Sequence, residues 1–347
     1  MQPTLQPRST THETAGADLS ISAGGATGGY TGRHVFLHVV LGSLATSALV
    51  AAGVKPVLAS SGAGILYVLA GFLVRLRGQQ PAAVFCGTFA GMTSFAAFFN
   101  QAPSGPGFSI LINVSTAILT GILYVLVMYS GQKLPNRLFN GYGGRLGAIA
   151  FAGSAVCLMT AGLLIRLSSP HFQLLVVKEG AVPSGTAHLA MILTSAAGSF
   201  FTRRFTRNIN STIPGLNVVL SASVCGFGGG VILLFLPLWG PVASLYWYAG
   251  NFAGMSSRPI LGSDASILLA GAITGIFLGG LHGYASGVGG LLGFSAFLAV
   301  IFWNSVSRLT RASTLVVGTA GAASAHHSST SKKASKAAIQ SAGLLSH

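Results

Sequence analysis

An eight-residue segment, Gly87-Thr-Phe-Ala-Gly-Met-Thr-Ser94, reappears later in the chain as Gly250-Asn-Phe-Ala-Gly-Met-Ser-Ser257, with six of eight positions identical. A second pair follows in the same order. Gly141-Tyr-Gly-Gly-Arg-Leu-Gly-Ala-Ile-Ala-Phe151 matches Gly287-Val-Gly-Gly-Leu-Leu-Gly-Phe-Ser-Ala-Phe297 at seven of eleven positions. Two ordered matches predict that the chain consists of two related halves. In a very apolar chain, such internal duplication is typical of transporters and channels.

The composition indicates that lipid is the solvent of this chain. Of its 347 residues, 51% are hydrophobic and only 7% are charged, whereas soluble domains carry roughly 25% charged residues. We therefore predict a polytopic, all-α membrane protein. The 48 glycines fit such a bundle, because small residues let helices approach closely. Three cysteines in apolar stretches, without any Cys/His cluster, predict no disulfide framework, no metal site and no other cofactor.

Ten stretches are apolar enough to be candidate transmembrane helices, which need roughly 20 residues each. They are residues 34–53, 56–74, 82–99, 108–129, 146–166, 187–202, 216–236, 240–257, 265–281 and 289–307. Ten spans in two halves give five spans in each half. Because five is odd, the second half must enter the membrane from the opposite side. The sequence therefore predicts two inverted five-helix repeats.

The domain organisation follows from these spans. Both ends of the chain are rich in small and polar residues, and we predict that they are disordered. The predicted segments are a disordered N-terminal tail at 1–32, the first repeat at 33–167, an extracytoplasmic connecting loop at 168–186, the second repeat at 187–311 and a disordered basic C-terminal tail at 312–347.

The distribution of positive charge predicts the orientation of the protein. If the ten spans alternate in direction, sixteen of the 19 Lys and Arg residues lie on the side of both termini, and only Lys55, Arg166 and Lys178 lie on the other side. The positive-inside rule then places both termini in the cytoplasm. Since cytoplasmic loops account for most of the net charge of +15, that charge does not indicate nucleic acid. We expect membrane lipid as a partner instead.

The repeated motifs supply two sets of candidate residues. Glycines at GxxxG spacing are predicted to pack helices against each other: Gly87, Gly91, Gly143, Gly147, Gly250, Gly254, Gly289 and Gly293. Polar residues at membrane depth need a partner or a water-filled cavity. We therefore predict a substrate path between spans three and eight, with two phenylalanines as its constriction. Its residues are Thr88, Phe89, Thr93, Ser94, Asn251, Phe252, Ser256 and Ser257.

The sequence lacks the residues and motifs that most membrane enzymes and cation carriers need. No carboxylate lies in the middle of a predicted span, and the chain contains no GxSxG, HExxH or Walker A motif, so we predict neither an enzyme nor catalytic residues. We expect a secondary transporter or a channel-like facilitator that moves a small neutral or anionic solute. A homo-oligomer is compatible with the sequence. The alternative is a structural or assembly membrane protein without transport, in which the glycine motifs serve helix packing alone.

Overall fold

The computed structural model describes residues 32–74, 80–94, 106–133, 139–169, 185–212, 218–236, 240–311 and 313. These residues form ten helices and no strand. In chain order the helices are α1 Gly32–Ala51, α2 Pro56–Val74, α3 Gln80–Ala90, α4 Pro106–Lys133, α5 Arg145–Ser168, α6 Thr186–Thr212, α7 Val218–Leu234, α8 Gly240–Gly254, α9 Asp264–Ala285 and α10 Leu291–Arg311. The predicted tails and most of the predicted 168–186 loop lie outside the described residues.

Five helices are long and apolar enough to cross a membrane: α1, α4 over Gly107–Met128, α5, α9 and α10. Two shorter apolar segments, Pro56–Gly71 and Val218–Leu234, lie in α2 and α7. Large aliphatic side chains such as Leu111 and Ile232 point outward, and both are more than half exposed. Such a surface suits contact with lipid tails, which are as apolar as leucine. These helices give the chain the character of an integral membrane protein.

The two shortest helices among the described residues, α3 and α8, contain 11 and 15 residues. At a rise of 1.5 Å per residue they extend about 16 and 22 Å, which is less than the roughly 30 Å hydrocarbon core. Span three was predicted at 82–99, but its helix ends at Ala90 and a turn follows. Helix α8 ends at Gly254, inside its own copy of the Phe-Ala-Gly-Met motif.

Each short helix packs against a long helix of the same half. Helix α3 packs on α1, and α8 packs on α6. These contacts need glycine, because a Cβ on Gly91 would collide with the carbonyl oxygen of Ser43, and a Cβ on Gly254 with that of Ser199. Helices α2 and α7 pack on each other and connect the halves.

The contacts align two further pairs of segments that sequence comparison did not find. The first pair is Gly42-Ser43-Leu-Ala-Thr46 of α1 and Gly198-Ser199-Phe-Phe-Thr202 of α6. Each segment contacts the Phe-Ala-Gly-Met motif of its own half of the chain. Thr120-Gly121-Ile122 of α4 and Thr274-Gly275-Ile276 of α9 are the second pair, each packed on the α1 or α6 helix of its own half. Each pair shares only three identical residues, which is too short a match for sequence comparison to detect in a chain with 48 glycines.

Candidate functional site

Four aromatic side chains fill the place where α3 and α8 meet. Phe85 and Phe89 come from α3, Tyr248 and Phe252 come from α8, and each is at most 1% exposed. The ring centroids of Phe89 and Phe252 are 4.8 Å apart. The other centroid distances are nearly equal at corresponding positions. Within each helix, Phe85 to Phe89 is 4.6 Å and Tyr248 to Phe252 is 4.7 Å. Between the helices, Phe85 to Phe252 is 6.0 Å and Phe89 to Tyr248 is 6.2 Å. We call these four residues the aromatic cluster.

A small hydrogen-bond network lies beside the aromatic cluster. Ser60 Oγ of α2 donates to Thr88 Oγ1 at 3.0 Å and lies 3.3 Å from the hydroxyl of Tyr248. Thr88 Oγ1 donates in turn to the carbonyl oxygen of Phe85 at 2.8 Å. The network joins α2 and α3 of the first half to α8 of the second, and it satisfies Thr88 without solvent.

Asn251 is fully buried on α8, next to α6 and α7. With the amide nitrogen facing acceptors, Nδ2 lies 3.0 Å from the carbonyl oxygens of Gly198 and Trp247 and 3.1 Å from Thr202 Oγ1. Oδ1 then accepts from the backbone N–H of Gly226 at 3.0 Å. This orientation is assigned from the hydrogen-bond partners, because the oxygen and nitrogen of an amide otherwise look alike. The protein itself therefore pairs the amide that was predicted to line a path.

The turn after each short helix binds the glycine loop of the other half. Ser94 N donates to the carbonyl oxygen of Gly287 at 2.8 Å, and Ser257 N donates to that of Gly141 at 2.8 Å. In the sequence repeat, Ser94 corresponds to Ser257 and Gly287 to Gly141, so the two bonds are equivalent. We call the first contact, where α3 ends and α10 begins, the α3–α10 junction. The second, where α8 ends and α5 begins, is the α8–α5 junction.

The Gly-x-Gly-Gly motif supplies backbone conformations that the two junctions need. Its first and last glycines have positive φ in both copies, which L-residues with a side chain rarely adopt. These are Gly141 and Gly144 at 80° each, Gly287 at 82° and Gly290 at 86°. The middle glycines have another reason. A Cβ on Gly289 would lie 2.5 Å from the carbonyl oxygen of Phe89, and a Cβ on Gly143 would collide with that of Phe252.

The first turns of α5 and α10 touch each other through glycine. A Cβ on Gly147 would lie 2.5 Å from the Cα of Gly293, and a Cβ on Gly293 would lie 2.6 Å from the Cα of Gly147. The rings of Phe151 and Phe294 stack beside this contact, 4.4 Å apart and nearly parallel at 1°. The starts of α5 and α10 therefore lie against each other inside the molecule.

Two hydroxyls hold the junctions. Thr93 Oγ1 donates to the carbonyl oxygen of Ala90 at 2.6 Å and can accept from Ser154 Oγ of α5, which lies 2.9 Å away. Ser256 Oγ, at the equivalent place, accepts from Gly143 N at 3.0 Å. All eight residues of the predicted path therefore lie on α3, on α8 or in the two junctions. Seven of them are buried and Ser94 is half-buried.

The two cavities described in the structure lie elsewhere. One groove of about 480 Å³ runs between α4 and α5 and is lined mainly by apolar side chains, including Leu111, Ile118 and Leu164. The smaller one lies between α1 and α4, beside Phe36 and Leu126. The predicted path residues line neither cavity, so they are packed against protein in this conformation.

Arg203 is a residue that sequence analysis missed. It lies on α6, is only 2% exposed, and donates from Nη1 to the carbonyl oxygen of Ser256 at 2.7 Å. In the sequence it looked like one of several cytoplasmic arginines. No local signal in the sequence distinguishes it from Arg204, because its burial comes from the turn after α8, whose Ser256 carbonyl oxygen it contacts.

Comparison with known proteins does not assign the chain to a family. The chain matches no protein-family model, and no curated protein and no solved structure is significantly similar to it.

Proposed function

We propose that the protein is a secondary transporter or channel-like facilitator for a small neutral or anionic solute, built from two inverted five-helix repeats. The observation that carries the proposal is the pair of equivalent junctions. In each junction a short helix ends beside the start of a long helix from the other half, joined by Ser94 N to Gly287 O and by Ser257 N to Gly141 O. The exchange of equivalent contacts is what a two-fold relation between the halves predicts.

Transport is favoured by the position of these helix ends. Repeat-built transporters bind their solutes at the interface of the repeats, where discontinuous helices present their ends. Helix ends carry unpaired backbone groups and a partial charge. Here α3 and α8 end within the bundle, and α5 and α10 begin there. In our proposal the two junctions form the solute site, and the aromatic cluster between them is the closed constriction.

The second candidate is a membrane scaffold without transport, and a specific observation favours it. The amide of Asn251 is paired with Gly198, Trp247, Thr202 and Gly226, so its burial requires no solute and no water. The aromatic cluster likewise fills its space with side chains alone. A scaffold needs only these packing contacts.

Flux measurements separate the two candidates. The purified full-length protein is reconstituted into liposomes, and permeation of urea, glycerol, formate and nitrate is followed by stopped-flow light scattering. A facilitator accelerates at least one of these solutes above the rate of protein-free liposomes. A scaffold leaves every rate at the protein-free value.

The variant Asn251→Leu tests the path within the same assay. We expect flux to fall more than about tenfold, because the amide bonds to groups of α6, α7 and α8 at once and fixes the wall of the proposed path. Loss of one buried hydrogen-bonding group typically costs about 1–3 kcal/mol, so the variant should still fold. Thr274→Val is the control. Its hydroxyl is also fully buried, but it donates to the carbonyl oxygen of Ala270 within α9 at 2.8 Å and takes no part in either junction. Equal flux in the two variants would contradict the path assignment.

The proposed orientation, with both termini in the cytoplasm, makes a separate prediction. It derives from the sixteen-to-three split of Lys and Arg between the two sides and the positive-inside rule. A green fluorescent protein fused after residue 347 should fluoresce, and alkaline phosphatase at the same site should be inactive. Both reporters inserted within 167–186 should give the reverse result. A signal of the same kind at both sites would require an even number of spans between them and would contradict the five predicted there.

A further inference from the structure

Arg203 is a buried arginine that forms no salt bridge with a carboxylate among the described residues, although Asp264 lies near enough to attract it. Its Nη1 donates to the carbonyl oxygen of Ser256, while Nε and Nη2 have no hydrogen-bond partner among the described residues. Only 2% of the residue is exposed. Burying a charged group without a counter-charge costs several kcal/mol, so buried charges are normally paired.

The nearest carboxylate is already engaged. Asp264 is the one acidic residue in the part of the chain that the structure describes. Its Oδ1 lies 3.1 Å from Arg207 Nη1, and its Oδ2 lies 4.0 Å from Arg204 Nη1. Arg207 and Arg258 both lie close enough to Arg203 for repulsion. Four arginines therefore share a single aspartate at this end of α6.

The start of α5 adds further positive potential to the same place. Ser256, whose carbonyl oxygen accepts from Arg203, also accepts through its hydroxyl from Gly143 N. Helix α5 begins at Arg145, two residues later. A helix start carries a partial positive charge and unpaired N–H groups, which favour anions. Ser256 therefore contacts both the Arg203 guanidinium and the loop that leads into α5, two features that attract anions.

The junction does not need this arginine for packing. At the equivalent position of α1, Ser47 Oγ donates at 3.2 Å to the carbonyl oxygen of Gly91, which corresponds in the repeat to Gly254 and not to Ser256. A neutral serine is sufficient there, and the α3–α10 junction forms around it. The guanidinium therefore gives the α8–α5 junction a property beyond packing.

We propose that Arg203, Arg207 and Arg258 form a binding site for a small oxyanion bearing a phosphate-like group at the α8–α5 junction. Arg203 provides its free Nε and Nη2, a planar fork suited to two oxygens. Arg207 and Arg258 contribute further positive charge nearby, and Arg258 is exposed. The oxyanion is either a free anion or the phosphate of a lipid headgroup.

The proposed oxyanion site depends only in part on the proposed transport function. Binding at Arg203 stands on these contacts alone, whereas the claim that the bound oxyanion is the transported solute rests on the proposed function. Saturable binding without flux would keep the site and remove the path. Flux without any binding at Arg203 would keep the path and remove the site.

The test measures binding through thermal stability. A ligand that binds only the folded state raises the apparent Tm in a saturable manner. The delipidated full-length protein in neutral detergent is titrated with inorganic phosphate at constant ionic strength, against chloride. In a second arm it is titrated with dioleoylphosphatidic acid, against phosphatidylcholine. A response to phosphate identifies a free-anion site, and a response to phosphatidic acid alone identifies a headgroup site. No saturable response in either arm overturns the proposal.

Three variants locate the response. Arg203→Gln should weaken binding at least about tenfold, since it removes a charge-assisted pair of hydrogen bonds. Arg204→Gln is the matched control. Arg204 is the next residue in the chain and its side chain is 57% exposed, so this variant should change affinity less than about twofold. If Arg203→Gln does not fold, Arg258→Gln removes an exposed charge of the site and should weaken binding measurably. Unchanged affinity in Arg203→Gln, or in Arg258→Gln where the first variant is lost, contradicts the site.

Discussion

Replacing Gly254 with leucine should eliminate most of the folded protein, whereas the same substitution at Gly280 should be tolerated. A Cβ on Gly254 would collide with the carbonyl oxygen of Ser199 and lie 3.1 Å from the Cβ of Thr202. Backbone cannot move aside as a side chain can, so α6 and α8 would have to separate. Overpacking of this kind costs about 3 kcal/mol or more, and in lipid no hydrophobic force holds the separated helices together.

Gly280 is the matched control for this substitution. It also lies in a helix, on α9, but a Cβ there would meet nothing within 4 Å. A leucine at this place would face outward. The measurement is the yield of monodisperse protein in fluorescence-detected size-exclusion chromatography, followed by apparent Tm. Comparable losses in the two variants would mean that the loss is not caused by the close approach of α8 to α6.

Replacing Phe89 or Phe252 with alanine should destabilise the protein strongly and by similar amounts. Both rings are 1% exposed, and they contact each other and equivalent partners. Phe→Ala in soluble cores costs about 3–5 kcal/mol. Because lipid lowers the transfer part of that cost, we expect about 2–4 kcal/mol for each variant, with the two values within about 1 kcal/mol of each other.

The free energy of unfolding is measured by titrating the protein from mild detergent into sodium dodecyl sulfate. The double variant should cost less than the two single variants together, since the second truncation enlarges a cavity that already exists. Phe302→Ala is the control, because that side chain is 51% exposed on α10. A cost for Phe89→Ala as small as for Phe302→Ala would show that the aromatic cluster does not hold α3 and α8 together.

The repeats could be detected in the sequence because their glycines have no substitutes. Gly141 and Gly287 need positive φ, and Gly91 and Gly254 need close backbone approach. Both requirements strongly favour glycine, so the same letter stands at these positions in the two halves. The predicted proximity of the Phe-Ala-Gly-Met segments, which places Phe89 and Phe252 in contact, follows from that pairing.

Other features escaped sequence analysis for equally physical reasons. Hydropathy measures composition and not backbone direction, so the apolar segment after Ala90 looked like more helix, although a turn begins at Gly91. Arg203 looked like a loop charge because nothing local distinguishes it from Arg204. Its burial depends on α8 and the turn that follows it, more than forty residues away. The path assigned to Asn251, Thr88 and their neighbours stays a prediction, since packed side chains in one conformation do not test permeation.

The exchange of contacts at the junctions affects the order in which the protein can be assembled during synthesis. The carbonyl oxygen of Gly141 pairs with Ser257, and the backbone of Ser94 pairs with Gly287. When the ribosome has completed α5, both groups belong to a half whose partners are not yet made. Translation must therefore pass α8 and reach the start of α10 before both junctions can close, and until then one side of each junction is without its partner.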